Sequence, residues 1–255
     1  MATSSTYVGD SSISIGEILS RAFAVMRDNP ATTFGIAFLF GALPQLVYKW
    51  TIGPVMLQSG VSAFTIFGMT LLSAALFLFF SMLVQASLVH ATLAYSQGQR
   101  ATFGECISSG LSSALPLMGM SLLLAVALGL GFMLLLVPGF ILLVMWAVIT
   151  PVFVIERTGV IDAFGRSRFL TKGARWRIFG LFLILIVVAW LVLLVVGAML
   201  ATSAASAPSR TFLIGYTVAG TFTSAFWATL QTSLYVSLRN WKEGPQNEQL
   251  ADIFA

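Results

Sequence analysis

A chain of 255 residues with 58% hydrophobic and 9% charged residues is too apolar for a soluble domain, where charged residues usually make up about a quarter. The net charge of +4 does not indicate nucleic-acid binding, because the basic residues lie at the ends of apolar runs, close to anionic lipid headgroups. The single cysteine, Cys106, excludes an internal disulfide and a metal site built from several cysteines. The composition therefore predicts a membrane protein without a nucleic-acid partner or a cofactor.

Six apolar stretches follow a polar tail at 1–12, which has no basic residue ahead of an apolar core and is not expected to be a cleavable signal. The stretches cover 33–48, 61–95, 115–137, 139–153, 178–201 and 212–238. They are continuously apolar rather than alternating, and several reach the roughly 20 residues that cross a bilayer as a helix. The predicted fold class is all-α: a single polytopic membrane domain over 1–255, with about six transmembrane helices in three hairpins and a cytoplasmic tail at 239–255.

The third and fourth stretches are separated only by a short break at Pro138 and Gly139. Proline and glycine at this point predict a tight helical hairpin, because neither residue favours a continuing helix. The fourth stretch is short, so a re-entrant pair that turns back before the far side is the alternative.

Amphipathic segments precede the three hairpins, at 13–29, 102–114 and 160–175. The first two begin with a hydroxyl residue followed three positions later by glutamate (Ser14 with Glu17, and Thr102 with Glu105), which predicts a capping box at each helix start. The shared order indicates a diverged repeat of one interfacial helix and two spans. Such segments either lie in the headgroup plane or pack as connecting helices on the floor of the bundle.

The basic residues orient the bundle. With a cytoplasmic N-terminus, only Lys49 and Arg210 of the 13 basic residues fall outside, and the other eleven fall inside. An excess of Lys and Arg in short loops marks the cytoplasmic side of inner-membrane proteins. We therefore expect both termini in the cytoplasm.

The densest polar cluster lies around the third amphipathic segment. Its candidate lipid-headgroup or interfacial residues are Arg166, Arg168, Lys172, Arg175, Trp176 and Arg177. Arginine donates to phosphate through two parallel N–H groups, which favours phospholipid binding. The alternative is that these residues only fix the orientation and anchor a helix end. Glu156 is expected to be a structural ion-pair partner of the arginines, and Asp162 has the spacing to pair with Arg166.

The sixth stretch carries two stripes of small and hydroxyl residues. The candidates for helix packing or for a pathway are Thr217, Gly220, Thr221, Ser224, Ala228 and Thr229. Small residues allow helix backbones to approach closely, so packing in the bundle or at a subunit contact is one interpretation. The other is a hydrated path, although ion and proton paths usually contain charged residues within the membrane.

The segment 137–181 reads VPGFILLVMWAVITPVFVIERTGVIDAFGRSRFLTKGARWRIFGL. It resembles the glycerophosphoryl diester phosphodiesterase membrane-domain family and related uncharacterised bacterial inner-membrane families. Two shorter motifs are also similar, Arg21-Ala22-Phe23 with Asp28-Asn29-Pro30, and Leu238-Arg239 with Lys242-Glu243-Gly244. The resemblance implies a six-helix inner-membrane protein. It does not carry over phosphodiesterase activity, because no catalytic domain accompanies these motifs in the sequence.

The function expected from the sequence is non-catalytic. We expect an inner-membrane protein that associates with membrane phospholipids and organises or shapes the membrane, as a homo-oligomer, because amphipathic helices in one leaflet expand that leaflet. The alternative is a transporter or channel for a lipid or a small neutral solute along the hydroxyl-rich sixth helix.

Overall fold

The computed structural model describes residues 14–52, 60–99, 101–202 and 210–244, and the regular elements in these ranges are all helical. In chain order they are α1 (Ile15–Asp28), α2 (Pro30–Ile36), a π-helical segment (Ala37–Ala42), α3 (Leu43–Thr51), α4 (Ala63–Ser96), α5 (Phe103–Leu134), α6 (Leu136–Met145), α7 (Ile149–Glu156), α8 (Val160–Thr171), α9 (Arg175–Thr202) and α10 (Arg210–Glu243). The predicted all-α class is confirmed.

Four segments in the described ranges are long and apolar enough to cross a membrane: Pro30–Tyr48, Ala63–Ser96, Phe103–Leu134 and Leu136–Glu156. A fifth is obtained when α8 and α9, which meet at a bend of 96°, are taken together. The sixth predicted span, α10, has 34 residues but is less apolar, because hydroxyl residues follow one another along it. The chain is therefore a multi-pass membrane protein.

The hairpin between α5 and α6 turns at Leu135, three residues before the predicted break at Pro138. Leu135 is extended (φ −165°, ψ 151°), and Pro138 lies inside the first turn of α6. Proline is tolerated there because the first-turn N–H groups have no partner within the helix. A Cβ atom on Gly139 would overlap the ring of Phe132, so the absence of a side chain lets the two helices cross closely.

The three amphipathic segments have different structures. The first is a separate helix, α1, and the third forms α8, but 102–114 is the beginning of the unbroken helix α5 rather than a separate interfacial helix. Thr102 and Glu105 form the complete capping box, in which Glu105 accepts from the Thr102 N–H at 2.9 Å. At α1 only the Ser14 hydroxyl accepts, because Glu17 turns to Arg21.

Helix α10 lies among α1, the π-helical segment, α4, α7 and α8. Most buried residues are in one half of the bundle, around Leu88, Leu117, Leu170, Leu230 and Leu234. We call this half the packed end; it contains α1, α8 and the C-terminal turns of α4, α7 and α10. The opposite half, which we call the apolar end, comprises 43–52, 63–77 and 122–137 and exposes large hydrophobic side chains.

Candidate functional site

Helix α8 is held against the broken segment between α6 and α7. The buried hydroxyls of Ser167 and Thr171 both donate to the carbonyl of Met145, at 3.0 and 3.2 Å. That carbonyl ends α6 and would otherwise lack a helical partner. Trp146 packs edge-on against Phe164, with ring centroids 5.0 Å apart. The hydroxyls at four-residue spacing on α8 therefore fix its position across the end of the bundle.

An ion-pair network joins α7, α8 and α10. The Arg166 guanidinium donates from Nε to both carboxylate oxygens of Glu156, at 3.0 and 2.7 Å, and its Nη2 lies 2.5 Å from Glu243 Oε1. The fully buried Tyr235 donates its hydroxyl to Glu156 Oε1 at 2.9 Å. Arg239 Nε lies 3.3 Å from the other oxygen of Glu243. Two arginines and two glutamates thus form a connected, electrically neutral group.

The exposure of these side chains indicates a structural role. Arg166 is 24% exposed and Glu156 is 16% exposed, so little of either charge meets solvent or lipid. Burial lowers the pKa of Arg166, but its hydrogen bonds to Glu156 and Glu243 outweigh burial and raise the pKa above its ordinary value. Arg166, which the sequence placed among the lipid-headgroup candidates, is therefore engaged inside the protein.

The predicted pair between Asp162 and Arg166 is wrong. Asp162 is exposed and lies near Gly159, while Arg166 turns across the chain to Glu156. Sequence reasoning identified Glu156 as an ion-pair partner but missed Tyr235, Arg239 and Glu243. A signal was present, because 235, 239 and 243 recur at four-residue spacing and so share one face of a helix. This spacing was not recognised because 239–255 was predicted to be a tail. In the structure, α10 continues to Glu243.

A second set of residues at the packed end is exposed. We call it the basic–aromatic corner; it consists of Ile161, Arg168, Phe169, Lys172, Trp176 and Arg177, all exposed along α8 and into the first turn of α9. Trp176 is the most exposed aromatic of the set, at 85%. Arg168 and Lys172 form no ion pair with a described carboxylate. Cationic and apolar side chains thus point outward together.

The corner is built on a tight turn. Gly173 has φ +94°, a left-handed conformation that glycine adopts without strain. A Cβ atom there would lie 3.0 Å from the ring of Trp241 on α10. Lys242 Nζ lies over the rings of Phe169 and Trp241, at 5.2 and 5.0 Å from their centroids. Arg175 is half-buried at the start of α9, and its enclosed Nε has no hydrogen-bond acceptor among the described residues.

The hydroxyl stripe of α10 faces inward. Thr221, Thr229, Thr232 and Ser233 are buried, and each hydroxyl donates to the carbonyl four residues earlier in α10 at 2.8–3.0 Å. Ala228 is buried beside them, while Gly220 is exposed. The hydroxyls are thus satisfied by their own helix and packed against its neighbours.

A small cavity of about 30 Å³ lies between α10 and the π-helical segment. Its lining includes Gln45, Thr217, Gly220 and Ser224 but not Thr221 or Thr229. A cavity of this size holds roughly one water molecule. Gly41 closes it from the π-helical side, where a Cβ atom would lie 3.2 Å from Ser224 Oγ.

In the described ranges, no group of three or more His, Cys, Asp or Glu side chains is arranged to hold a metal ion. Comparisons with protein-family models, with curated proteins and with solved structures found no match. The family resemblance of 137–181 stays a prediction from its motif.

Proposed function

We propose that this chain is a non-catalytic protein of the bacterial inner membrane that associates with anionic phospholipids and organises or shapes the membrane, as a homo-oligomer with both termini in the cytoplasm. The observation that carries the proposal is the basic–aromatic corner, where Arg168 and Lys172 are exposed together with Ile161 and Phe169 on α8 and Trp176 at the start of α9.

The geometry of the corner suits the headgroup layer. Helix α8 turns through 96° into α9, so when α9 crosses the membrane, α8 lies nearly parallel to its surface. Tryptophan favours the interface between hydrocarbon and water, and each nearby lysine or arginine attracts an anionic leaflet by about 1 kcal/mol. Apolar side chains at the same level reach the hydrocarbon boundary.

The sequence placed Arg166, Arg168 and Lys172 in one set of lipid-headgroup candidates. The ion-pair network supports dividing this set into a residue that fixes α8 and residues that contact lipid. Glu156, Arg166, Arg239 and Glu243 neutralise one another and fix α8 on the bundle. The positive charge offered to lipid is then that of Arg168 and Lys172. We therefore propose Arg168, Lys172 and Trp176 as the lipid-contacting residues and Arg166 as their support.

The membrane-shaping part of the proposal depends on α8 more than on α1. Ile18, Ala22 and Val25 of α1 are buried against the bundle, and Phe23 packs on Phe226 with centroids 5.2 Å apart. The apolar stripe of α1 is thus largely used within the protein. Expansion of one leaflet is left mainly to α8, whose Ile161 is 81% exposed.

The packing of α10 favours this role over a transport pathway. Thr221 and Thr229 were the expected lining of such a path, but both are buried and bonded to their own helix backbone. The cavity near Thr217 has room for about one water molecule and not for a lipid.

Native mass spectrometry with phosphatidylglycerol and phosphatidylcholine, added at matched concentrations, tests the lipid association. We expect tighter binding of phosphatidylglycerol, and we expect Arg168→Gln and Lys172→Gln each to weaken it about fivefold, since one surface charge contributes about 1 kcal/mol. Arg27→Gln is the control, because the exposed Arg27 on α1 already pairs with Asp28 at 3.1 Å, and it should change affinity less than about twofold. Equal losses in all three variants would contradict a localised site.

Vesicle imaging and mass photometry test the remaining part. Reconstituted at high density, the protein should tubulate or narrow vesicles. In mass photometry it should have a mass greater than that of one chain. Unchanged vesicles together with monomers would overturn the organising role while leaving lipid binding to be judged by the first experiment.

A further inference from the structure

An open groove lies at the apolar end of the bundle, between the first spanning segment and α4. We call it the α3–α4 groove; its walls include Leu39, Leu43 and Val47 on one side and Leu76 and Phe80 on the other. It exists because α4 packs closely from Met82 onward, whereas its earlier residues stand away from the bundle. The groove has a volume of about 470 Å³ and is open along one side.

We propose that the α3–α4 groove is a binding site for one acyl chain of a phospholipid from the leaflet opposite the basic–aromatic corner. This site is separate from the corner and does not rest on the function proposed above. Its walls are apolar, and at membrane depth the molecules available to fill an apolar opening are lipid chains and other helices.

The length of the groove matches one leaflet. From Leu39 to Ile52 the helical rise is about 20 Å, and half of the hydrocarbon core is about 15 Å. Tyr48 and Thr51 line the groove near the end of α3, and Trp50 beside them is exposed. Tyrosine and tryptophan concentrate at the level of the headgroups. The groove therefore runs from the interface toward the middle of the membrane.

The width of the groove favours a hydrocarbon chain over a helix. The empty space between the walls, the open side included, is about 900 Å³, so over about 20 Å the mean cross-section is at most about 45 Å². Carbon atoms contact at about 3.5–4.0 Å, so one hydrocarbon chain needs a channel of roughly 20 Å². A helix 10–12 Å across needs about 80 Å² or more. An α-helix of a second copy is thus too wide, and an acyl chain fits.

The proposal is tested with tryptophan variants that fill the groove from one wall or the other. Leu43→Trp and Leu76→Trp each place an indole in the opening, whereas Leu71→Trp adds the same indole to an exposed position of α4 about 140° around the helix from Leu76. The purified variants are compared by native mass spectrometry of retained phospholipid, with thermal unfolding in detergent to establish that they fold. Two groove variants on different helices keep the test valid if one of them unfolds.

We expect wild type and Leu71→Trp to retain one phospholipid per chain with either headgroup, and both groove variants to retain at least about fivefold less, because the indole replaces the chain's contacts. Arg168→Gln should retain that lipid, which separates this site from the corner. No retained lipid in wild type, or equal retention in all folded variants, would overturn the proposal. Loss of a dimer instead of a lipid in the groove variants would assign the groove to a second copy and overturn it too.

Discussion

The two halves of α4 show how similar residues take on different roles. From Met82 to Ala94 most side chains are buried against α5, α7 and α10. From Ala63 to Phe77 all but Met69 and Ser73 are exposed, although these residues are at least as apolar as those of the buried half. In a bilayer, lipid tails solvate apolar side chains as well as a protein interior does, so burial depends on close packing and polar contacts. Hydropathy identifies the helix but does not distinguish its halves.

The largest expected difference in stability is between a leucine-to-alanine substitution in the buried half of α4 and the same substitution in its exposed half. Leu88→Ala removes a fully buried side chain and leaves a cavity, which should lower the free energy of unfolding by about 2–5 kcal/mol. Leu71→Ala, at a position 55% exposed, should change it by less than about 0.5 kcal/mol. Unfolding titrations in mixed micelles measure both. Similar losses of unfolding free energy in the two variants would show that the half with Leu71 is packed in the native protein. They would contradict the division of α4 into a buried and an exposed half.

The ion-pair network gives the next largest effect. Arg166→Gln leaves Glu156 partly buried without its cation and should cost about 2–3 kcal/mol, somewhat below the value for a fully buried pair. Glu156→Gln should cost less, because Arg166 keeps Glu243.

A double-mutant cycle then tests whether the two residues interact directly. The double variant should be more stable than the sum of the single losses predicts, by at least about 1 kcal/mol. Asp162→Asn is the control, because the sequence gives Asp162 the spacing to pair with Arg166. Its free energy of unfolding should lie within about 0.5 kcal/mol of the wild-type value. A larger coupling of Arg166 to Asp162 than to Glu156 would contradict the network.

A smaller effect is expected where α4 and α5 approach most closely. A Cβ atom on Gly110 would overlap the Ser87 hydroxyl and lie 3.3 Å from the Leu83 carbonyl, so Gly110→Ala should destabilise by about 1–3 kcal/mol. Gly119, two and a half turns later on α5, has open space around it. Gly119→Ala should be neutral or stabilising by up to about 1 kcal/mol, because alanine favours the helix. Equal stabilisation by both would contradict the close contact.

The sequence predicted the helical elements well because apolar runs and capping residues act locally. The complete box at Thr102 and the start of α8 after Gly159 depend on neighbours a few positions away. The break at Leu135 was misplaced because proline suits a first helical turn as well as a turn between helices. The continuity of α5 was missed because amphipathic and apolar segments form one helix when no residue interrupts them.

The site was predicted less completely because its contacts join distant parts of the chain. Glu156 and Tyr235 are 79 residues apart, and no local pattern pairs them. Basic residues also look alike in sequence: Arg166 and Arg168 differ by two positions, yet one is bound inside the network and the other is exposed. The helical angle between them, about 200°, places them on opposite faces of α8. Only the position of α8 on the bundle decides which face is exposed.

The most direct test is to determine on which side of the membrane the packed end lies. In a Cys106→Ala background, Gly60→Cys reports on the loop before α4 and Arg168→Cys reports on the corner. A membrane-impermeant maleimide applied to intact spheroplasts should label Gly60→Cys and should label Arg168→Cys only after permeabilisation. Labelling of Arg168→Cys in intact spheroplasts would place the corner outside and contradict both the orientation and its association with the cytoplasmic leaflet.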